Sequence, residues 1–397
     1  MEKILSINSG SSSIKFKLFE FPNKDLLFEG SITQIGLLNG QIKYKYKDKK
    51  IKLTKQIKDH KQAVALIKQI LEDEKVIVSS SDISLIGHRV VHGGEEFKNS
   101  VIVNEDVILK LKKIYDLAPL HNPHNVMGYE VFSSFFKEAK HAFIFDTSFH
   151  STMEEEEFLY PIDYDYYEKY KIRKYGFHGT SHKFLYSKVK DFYNEDRKTI
   201  TLHIGNGASL CAIKEGKSIA TSMGFTPLSG IMMGTRSGDI DPSIITFLME
   251  KENKSAFEVI DCLNKKSGLL GVSQISSDSI ELEKEYEKGN KKAILAYEKM
   301  VNTIVERLGA YFVKLQGLEV IVFSGGIGEN SCLFRELVIE KLKGAFNINL
   351  DKSKNENIDD DICLISEKNS SVDVLVIKTD EEIVIAQETY NLFKGKK

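Results

Sequence analysis

One pattern occurs twice in this chain: a short strand, a turn of glycine and small polar residues, and a second strand. Near the start, residues 3–7 and the alternating residues 13–21 predict two strands around the polar turn NSGSS. Residues 199–205 and 209–214 predict a second pair around the turn NGA. Because the pattern begins again after a long interval, we expect the chain to fold into two related α/β halves.

Strand and helix signals alternate through both halves. Further strands are predicted at 83–91, 141–146, 319–324 and 372–377, and another hairpin at 43–53. Helices are predicted at 105–117, 125–137 and 289–316. Asp59 is predicted to cap a helix, and Thr379 with Glu382 predicts a capping box for the last one. Residues 151–175, with an acidic run and many tyrosines, are predicted to be an irregular crossing segment.

Composition argues against several classes of protein. The 397 residues carry a formal net charge of −2, which offers no electrostatic attraction to nucleic acid or to an anionic membrane. The four cysteines form no C-x-x-C pair, so neither a zinc knuckle nor a redox motif is expected. The start MEKILSINSG lacks the features of a signal peptide, and no stretch approaches the roughly 18–20 apolar residues that span a bilayer. We therefore expect a cytoplasmic protein of two or three domains.

Both hairpin turns have the chemistry of a phosphate site. In NSGSSSIK, at 8–15, backbone N–H groups, several hydroxyls and Lys15 would suit a phosphate chain, and HIGNGAS, at 203–209, repeats the device. Two such tips facing each other across a cleft could hold the β- and γ-phosphates from both sides. The alternative is a pair of ordinary hairpin tips, since Ser, Gly and Asn are what turns use.

Two more glycine-bearing segments lie in the second half. The run FSGGIGEN, at 323–330, predicts a strand, a glycine loop and a helix that starts near Asn330. It matches neither the G-x-G-x-x-G dinucleotide pattern nor a P-loop. The run MGFTPLSGIMMGTRSGDIDP, at 223–242, holds too many glycines and prolines for a regular element, so we predict a loop that packs into a cleft. Arg236 within it is suited to clamp a phosphate, the alternative being a solvated surface arginine.

Ten histidines raise the question of a zinc site. Those with helical spacing are His88 and His92, His178 and His182, and His121 and His124. No H-E-x-x-H motif is present, and several of these residues fall at a strand end or in a proline loop. We expect neutral hydrogen-bonding groups or donors to transferring oxygens rather than zinc ligands.

Nine runs that contain these residues resemble the acetate kinase family, within the acetate and sugar kinase, Hsp70 and actin superfamily. They are NSGSSSIK, GHRVVHGG, APLHNPHN, FDTSFH, KYGFHGTSH, HIGNGAS, TPLSGIMMGTRSGDIDP, GGIGENS and TDEE. The resemblance implies an α/β, two-lobed, duplicated actin-like ATPase (ribonuclease H-like) fold with an active-site cleft between the domains. It implies an N-terminal domain at 1–148, joined by a C-terminal helix at 382–397, and a C-terminal domain at 149–381 that forms a homodimer.

The resemblance also implies a set of site residues. The catalytic residues are expected to be Arg89, Asp146, His178 and Arg236. The pocket for the acid is expected to be formed by Arg89, Val91, Leu120, His121 and Pro227. The nucleotide is expected to contact Ser13, Lys15, His203, Ile204, Gly205, Asn206, Gly207, Asp278, Ser279, Ile280, Gly326, Ile327, Gly328, Glu329 and Asn330. The metal ion is expected at Asn8 and Glu381.

The implied reaction is a Mg²⁺-dependent, reversible and direct in-line transfer of the ATP γ-phosphate to acetate, giving acetyl phosphate and ADP. Mn²⁺ is expected to substitute for Mg²⁺, and propionate or another short-chain acid is the alternative acceptor. Ile280 departs from the family because an arginine that contacts the nucleotide usually stands there. Ser229 in place of a glutamate and Gly325 in place of an alanine are smaller departures.

Elementary electrostatics supports such a site. A carboxylate is already ionised at neutral pH, so its attack on phosphorus needs cations rather than a base. We interpret Asp146 as an anchor for an arginine or for the metal's water shell, not as a proton acceptor. The rival classes are a nucleotide-gated binding protein of the same fold and a zinc hydrolase.

Overall fold

The computed structural model describes residues 1–395, which form two compact units. The first unit holds Met1–Phe149 and the segment from Asp380 onward, and the second holds His150–Thr379. No helix in residues 1–395 has the length and apolar character needed to cross a membrane.

The elements follow the chain in this order. The strands are β1 Glu2–Ser9, β2 Ser13–Phe21, β3 Asp25–Thr33, β4 Gln41–Tyr46, β5 Lys49–Thr54, β6 Ile83–Val90, β7 Val101–Ile102, β8 Lys140–Phe145, β9 Thr199–Ile204, β10 Ala208–Lys214, β11 Lys217–Thr221, β12 Val320–Ser324, β13 Ile362–Leu364 and β14 Asp373–Ile377. The α-helices are α1 His60–Asp73, α2 Glu105–Lys113, α3 Asn122–Phe135, α4 Glu155–Phe158, α5 Asp165–Tyr170, α6 Gly179–Tyr193, α7 Ser243–Glu252, α8 Ala256–Lys265, α9 Gly268–Ser273, α10 Ser279–Glu287, α11 Lys291–Leu315, α12 Gly325–Asn330, α13 Cys332–Phe346, α14 Lys352–Glu356 and α15 Glu381–Lys394.

Each unit is built on one sheet, and the two sheets share a topology. The first has the order β5-β4-β3-β2-β1-β6-β8-β7 and the second the order β11-β10-β9-β12-β14-β13. In both sheets, three consecutive strands pair antiparallel with one another. The first of these strands in the chain also pairs with a parallel strand, which in turn pairs with a second parallel strand. The expected pair of related α/β halves is confirmed.

Strand register brings polar residues to one edge of the first sheet. Asn8 lies opposite Lys15 in the β1–β2 hairpin. The parallel strands β1, β6 and β8 end at the same edge, with Ile7 opposite His88 and Arg89 opposite Ile144. Carboxyl ends of parallel strands are the usual place for ligand sites in α/β sheets.

Helices cover both faces of this sheet. On one face α1 and α3 pack over the strands, with Ile67 and Phe132 in the same buried cluster as Leu5 and Phe16. Asp59 accepts a hydrogen bond from Gln62 N and caps α1, which confirms the predicted cap.

The last helix, α15, packs against the other face of the first sheet, with Ala386 buried against Ile4 and Leu85. A Cβ on Gly87 would lie 2.2 Å from Thr389 Oγ1 and 2.7 Å from Ile385 Cγ2, so only glycine permits this approach. The close packing of α15 against β6 brings its first residue, Glu381, to the strand that carries Arg89.

Three local expectations were incomplete or wrong. Strand β3 was not predicted, because its Gly30 is atypical of a strand interior; a Cβ there would lie 2.6 Å from Phe16 Cζ. The run GGIG is not a loop before a helix, since α12 begins at Gly325 itself. The cap of α15 is Asp380 rather than Thr379, because Asp380 accepts the hydrogen bond from Ile383 N.

The 151–175 segment is partly regular, since it forms a 3₁₀ turn and the short helices α4 and α5. The loop at 223–242 has no strand or helix, as predicted. Its apolar residues Ile231, Met232 and Met233 are buried.

Candidate active site

Arg89 is the centre of a polar cluster in the first unit. Its Nη2 donates to Asp146 Oδ2 at 2.7 Å, and its Nη1 donates to Asn8 Oδ1 at 3.2 Å. Its Nε lies 3.9 Å from Glu381 Oε2. Three segments that are far apart in the chain therefore meet at one guanidinium.

Opposing charges set the ionisation in this cluster. Burial alone would lower the pKa of Arg89, but the carboxylates of Asp146 and Glu381 raise it above its ordinary value. Burial raises the pKa of the Glu381 carboxyl, and the positive charges of Arg89 and Lys15 oppose that rise. Arg89 is therefore a permanent cation, while Glu381 lies where a further positive charge would stabilise its ionised form.

Two asparagines that sequence reasoning did not assign fix the backbone around this cluster. Asn125 accepts from Val91 N at 3.0 Å and donates to Ser9 O at 2.8 Å. Asn122 accepts from His92 N at 3.1 Å and donates to His92 O at 2.9 Å. Both are buried, and they tie α3 to the end of β6 and to the first turn. The motif HNPHN was the available signal.

The other predicted residues of the first unit lie near the same sheet edge or in the loop before α3. Ser13 begins β2, and Lys15 lies exposed on the same strand. Val91 is buried directly after β6, whereas Leu120 is 75% exposed and His121 is exposed before α3.

In the second unit, the turn 205–207 brings three predicted residues together. A Cβ on Gly207 would lie 3.3 Å from Arg236 Nη1 and 3.7 Å from His178 Nε2. The ring of His178 lies 4.4 Å from that of His203, centroid to centroid. Gly234 contacts Asn206 so closely that a Cβ there would lie 2.0 Å from Asn206 Oδ1. This contact holds the loop that carries Arg236 against the turn.

The environment of Arg236 differs from that of Arg89. Arg236 Nη1 donates to the carbonyl of Pro227 at 3.1 Å, and no acidic side chain among residues 150–379 forms an ion pair with its guanidinium. Burial lowers the pKa of Arg236 from its ordinary value. That ordinary value lies far above neutral pH. A partly buried cation without a carboxylate partner is suited to bind an anion.

His178 occupies an unusual backbone position. It is the N-cap of α6, with φ of 58°, in the left-handed region that non-glycine residues seldom adopt. Its Nδ1 lies 2.9 Å from Ser209 Oγ, and His203 Nδ1 lies 2.8 Å from Ser181 Oγ. Neither serine was assigned a function from the sequence.

Most of the remaining predicted residues line a cavity of about 470 Å³. Its lining includes Gly205, Asn206, Asp278, Ile280, Gly326 and Asn330. Asp278 caps α10, which begins at Ser279, and Ile280 is 64% exposed. The volume is in the range of small-molecule sites.

Helix α12 forms one wall of this cavity and is fixed from both ends. Glu329 Oε1 accepts from Ser324 Oγ, Gly325 N and Thr379 N. Arg335, which is buried, donates to the carbonyls of Gly328 and Glu329 at the other end. Ile327, also predicted, is buried in the same helix, and Ile204 is buried at the end of β9.

Comparison with known proteins identifies the family. A family model described as the acetokinase family matches residues 3–387. The chain belongs to the acetokinase family. An acetate kinase of Macrococcus caseolyticus is 46% identical over 392 residues, which are 98% of this chain and 98% of that protein.

Solved structures of the acetokinase family have the same fold. The acetate kinase of Porphyromonas gingivalis superposes with a TM-score of 0.93 and 41% identity, over 99% of this chain and 100% of that one. A propionate kinase from Francisella tularensis superposes with a TM-score of 0.93 and 39% identity, over 99% and 100%. The expected duplicated actin-like, ribonuclease H-like α/β fold is confirmed.

Proposed function

We propose that this acetokinase-family protein is an acetate kinase, which transfers the γ-phosphate of ATP to acetate and also catalyses the reverse reaction. The observation that carries the proposal is Arg236, a partly buried cation with no acidic partner among residues 150–379, held against a glycine turn beside His178. Such a group is suited to an anion whose charge changes during reaction.

The chemistry requires neutralisation of charge more than proton transfer. An acetate oxygen attacks the γ-phosphorus, and the bond from phosphorus to the bridging oxygen of ADP breaks in line. Charge spreads over the equatorial oxygens of the transferring group, and positioned cations stabilise it. Arg236 supplies positive charge, and His178 donates a hydrogen bond to the same group.

Arg89 would orient the acetate carboxylate through its guanidinium. Asp146 and Asn8 hold two of its nitrogens from one side, which fixes the plane of the side chain. This arrangement supports Asp146 as an anchor for Arg89. Asp146 then needs no change of protonation during turnover.

Asn8 and Glu381 have the oxygen donors that Mg²⁺ prefers, and we assign the ion to them. Burial already raises the pKa of the Glu381 carboxyl, so a nearby divalent cation would stabilise its charged form. Mg²⁺ is usually held by one or two carboxylates together with substrate phosphates and water, so the nucleotide would supply the remaining ligands. When bound, the ion would shield the charge of the nucleotide phosphates.

The nucleotide would place its adenosine in the cavity beside α12 and α10. The glycines at 326 and 328 present little side-chain bulk to a flat ring. The turn at 205–207 then lies at the phosphate end, where backbone N–H groups and Arg236 are close together.

The acid substrate separates acetate kinase from its near relatives. We assign the first unit's part of the methyl pocket to Val91, Leu120 and His121, and propionate is the second candidate because the Francisella propionate kinase has nearly the same fold. One methylene changes binding by only about 1–3 kcal/mol, so kcat/KM must be measured for two-, three- and four-carbon acids.

The decisive experiment measures acyl phosphate from ATP and each acid, trapped with hydroxylamine, with and without Mg²⁺. We expect acyl phosphate from acetate with the highest kcat/KM, only in the presence of a divalent ion, and slow ATP hydrolysis without acid. A preference for propionate would favour the second candidate. ATP binding without any acyl phosphate would contradict the proposal and favour a nucleotide-gated binding protein.

We also propose that the enzyme is a homodimer formed through the second unit. No residue of α7 is buried although its sequence is SIITFLMEKE, and Phe247 of α7 and Phe257 of α8 are both exposed. Exposed apolar patches of this kind mark protein interfaces. Phe247→Glu should give a monomer by light scattering, whereas Phe192→Glu, which alters an exposed phenylalanine of α6, should leave the dimer intact. A monomeric wild type would contradict the assignment.

A further inference from the structure

Four side chains of the second unit form a continuous hydrogen-bonded chain that ends at His178. Thr201 Oγ1 lies 2.7 Å from His182 Nδ1, and His182 Nε2 lies 2.8 Å from Ser209 Oγ. Ser209 Oγ lies 2.9 Å from His178 Nδ1. Each distance is that of a full-strength hydrogen bond. The chain runs from the interior of the sheet to the turn at 205–207.

The interior of this chain is closed to solvent. Thr201, Ser209 and His182 are each 0% exposed. Burial lowers the pKa of His182 well below its ordinary value, and the neighbouring His150, His178 and His203 lower it further. His182 is therefore neutral, with one ring nitrogen protonated and the other not. A neutral histidine between two hydroxyls gives every hydrogen bond of the chain the same direction of donation, because one ring nitrogen donates and the other accepts.

The distances around Thr201 decide that direction. The other acceptor within reach of its hydroxyl is the carbonyl of Cys211, at 3.5 Å, which is the outer limit for a hydrogen bond. The Thr201 proton therefore goes to His182 Nδ1, and His182 donates from Nε2 to Ser209. Ser209 in turn donates to His178 Nδ1, so that the ring proton of His178 lies on Nε2 rather than on Nδ1.

We propose that Thr201, His182 and Ser209 are positioning residues that hold His178 in the tautomer with the proton on Nε2. This inference rests on the proposed function, in which His178 donates a hydrogen bond to the transferring phosphoryl group. Nε2 is the nitrogen directed toward the turn, 3.7 Å from the position a Cβ would take on Gly207. A reversed chain would present an unprotonated nitrogen to an anionic group, which is unfavourable.

The first test is spectroscopic and needs no turnover. In the full-length protein labelled with ¹⁵N in histidine, we expect His178 to show a protonated Nε2 and an unprotonated Nδ1 at neutral pH. Thr201→Val removes the first donor at nearly constant volume, so the two nitrogens of His178 should move toward a mixture of tautomers. A proton on Nδ1 in the wild type, or an unchanged spectrum in the variant, would refute the proposal.

The second test separates positioning from substrate binding. In Thr201→Val, kcat should fall in proportion to the fraction of His178 that loses its Nε2 proton, by about twofold for an even mixture of tautomers and by up to about 10⁴-fold for a fully wrong tautomer. KM for ATP and acetate should change little. Thr201→Ser keeps the hydroxyl and should restore kcat, and Ser209→Ala interrupts the same chain at another link.

The matched control is Thr199→Val. Thr199 lies two residues away on β9, is 0% exposed, and donates to the carbonyl of Arg197 rather than to the chain. The same loss of a buried hydroxyl should leave the His178 spectrum and kcat close to those of the wild type. Equal losses in both variants would mean that only stability had changed, and would overturn the proposal.

The two hypotheses fail in different ways. If the wild type formed no acyl phosphate, the proposed function would be wrong, and the ¹⁵N spectra would still decide the direction of the chain. If acyl phosphate forms normally and the tautomer of His178 does not respond to Thr201→Val, only the positioning chain is refuted.

Discussion

Arg89 Nη2 and Asp146 Oδ2 lie 2.7 Å apart, and the Asp146 side chain is only 1% exposed. A carboxylate in this position is stabilised by its cation, and the cation is fixed in turn. The ion pair also explains why a largely buried arginine remains charged.

Asp146→Asn should lower kcat/KM for acetate by about 10²-fold, because misplacement of Arg89 by an ångström is enough for such a loss. The shape of the pH–rate profile should stay that of the wild type. Disappearance of one limb would show that Asp146 transfers a proton. Asp165→Asn, which removes an exposed ion pair with Lys169, is the control and should leave kcat/KM for acetate unchanged.

Arg236→Ala should lower kcat by about 10³-fold or more, since an arginine on a transferring phosphoryl group has that weight. KM for ATP should change less than kcat. Arg197→Ala removes an arginine of the same unit that pairs with Glu195 at the surface, and should leave kinetics unchanged. Near-normal turnover in Arg236→Ala would remove the basis of the proposed function.

Gly87→Ala should destabilise the protein by about 1–3 kcal/mol, because the new methyl overlaps Thr389 and Ile385 of α15. It should also weaken Mg²⁺ binding, since Glu381 lies at the start of that helix. Gly309→Ala is the control, and it should change the free energy of unfolding in the opposite direction. Nothing lies within 4 Å of its Cβ position in α11, so the helix should gain about 0.5–1 kcal/mol. Urea unfolding measures both.

Ile280→Arg should tighten ADP binding by about fivefold at most, because exposed ionic contacts contribute roughly 0.2–1 kcal/mol. The residue lies exposed on the lining of the proposed adenosine cavity. Titration calorimetry with ADP and GDP would show whether the new charge acts on affinity or on base choice. Ile275→Arg adds the same charge away from that lining and should not change either.

Acid should destabilise the first unit through its buried histidines. Burial lowers the pKa of His141 to about 4 and of His92 to about 3. Unfolded histidine takes up its proton near pH 6.5, so stability is complete above that pH and falls as pH drops toward the folded values. Each such histidine adds up to about 1.4 kcal/mol per pH unit to the slope.

The check is the unfolding free energy between pH 6.5 and pH 4.5 for the wild type and for His141→Gln. The variant should show a shallower slope by about one proton, because glutamine does not titrate. Parallel slopes would mean that His141 is protonated in the folded protein. Because the wild type and the variant have the same carboxylates, the difference between their two slopes reports on His141.

The duplicated fold could be recognised in the sequence because its signals are local. The period of apolar residues and the glycine turns predicted β1, β2, β9 and β10 to within one or two residues. Asp59 capped its helix as expected. Where Gly30 and Gly325 made unusual close approaches, local rules failed, since the compensating contact lies elsewhere in the chain.

The residues of the candidate site could be predicted from the sequence for the same reason, because each stands in a short motif with its own chemistry. The residues that hold them in place could not be predicted in this way. Arg335 behind α12 and Thr201 behind His182 carry no local signal of function, because their roles come from contacts with distant segments.

By itself, then, the sequence determined two related α/β halves and the identity of the polar groups at their turns. Only the tertiary structure decided that Asp146, Asn8 and Glu381 surround Arg89, while Arg236 pairs with no carboxylate in the described residues of its own unit. The physical reason is that propensity and turn chemistry act over a few residues, whereas ionisation and proton direction depend on whatever lies within a few ångströms in space.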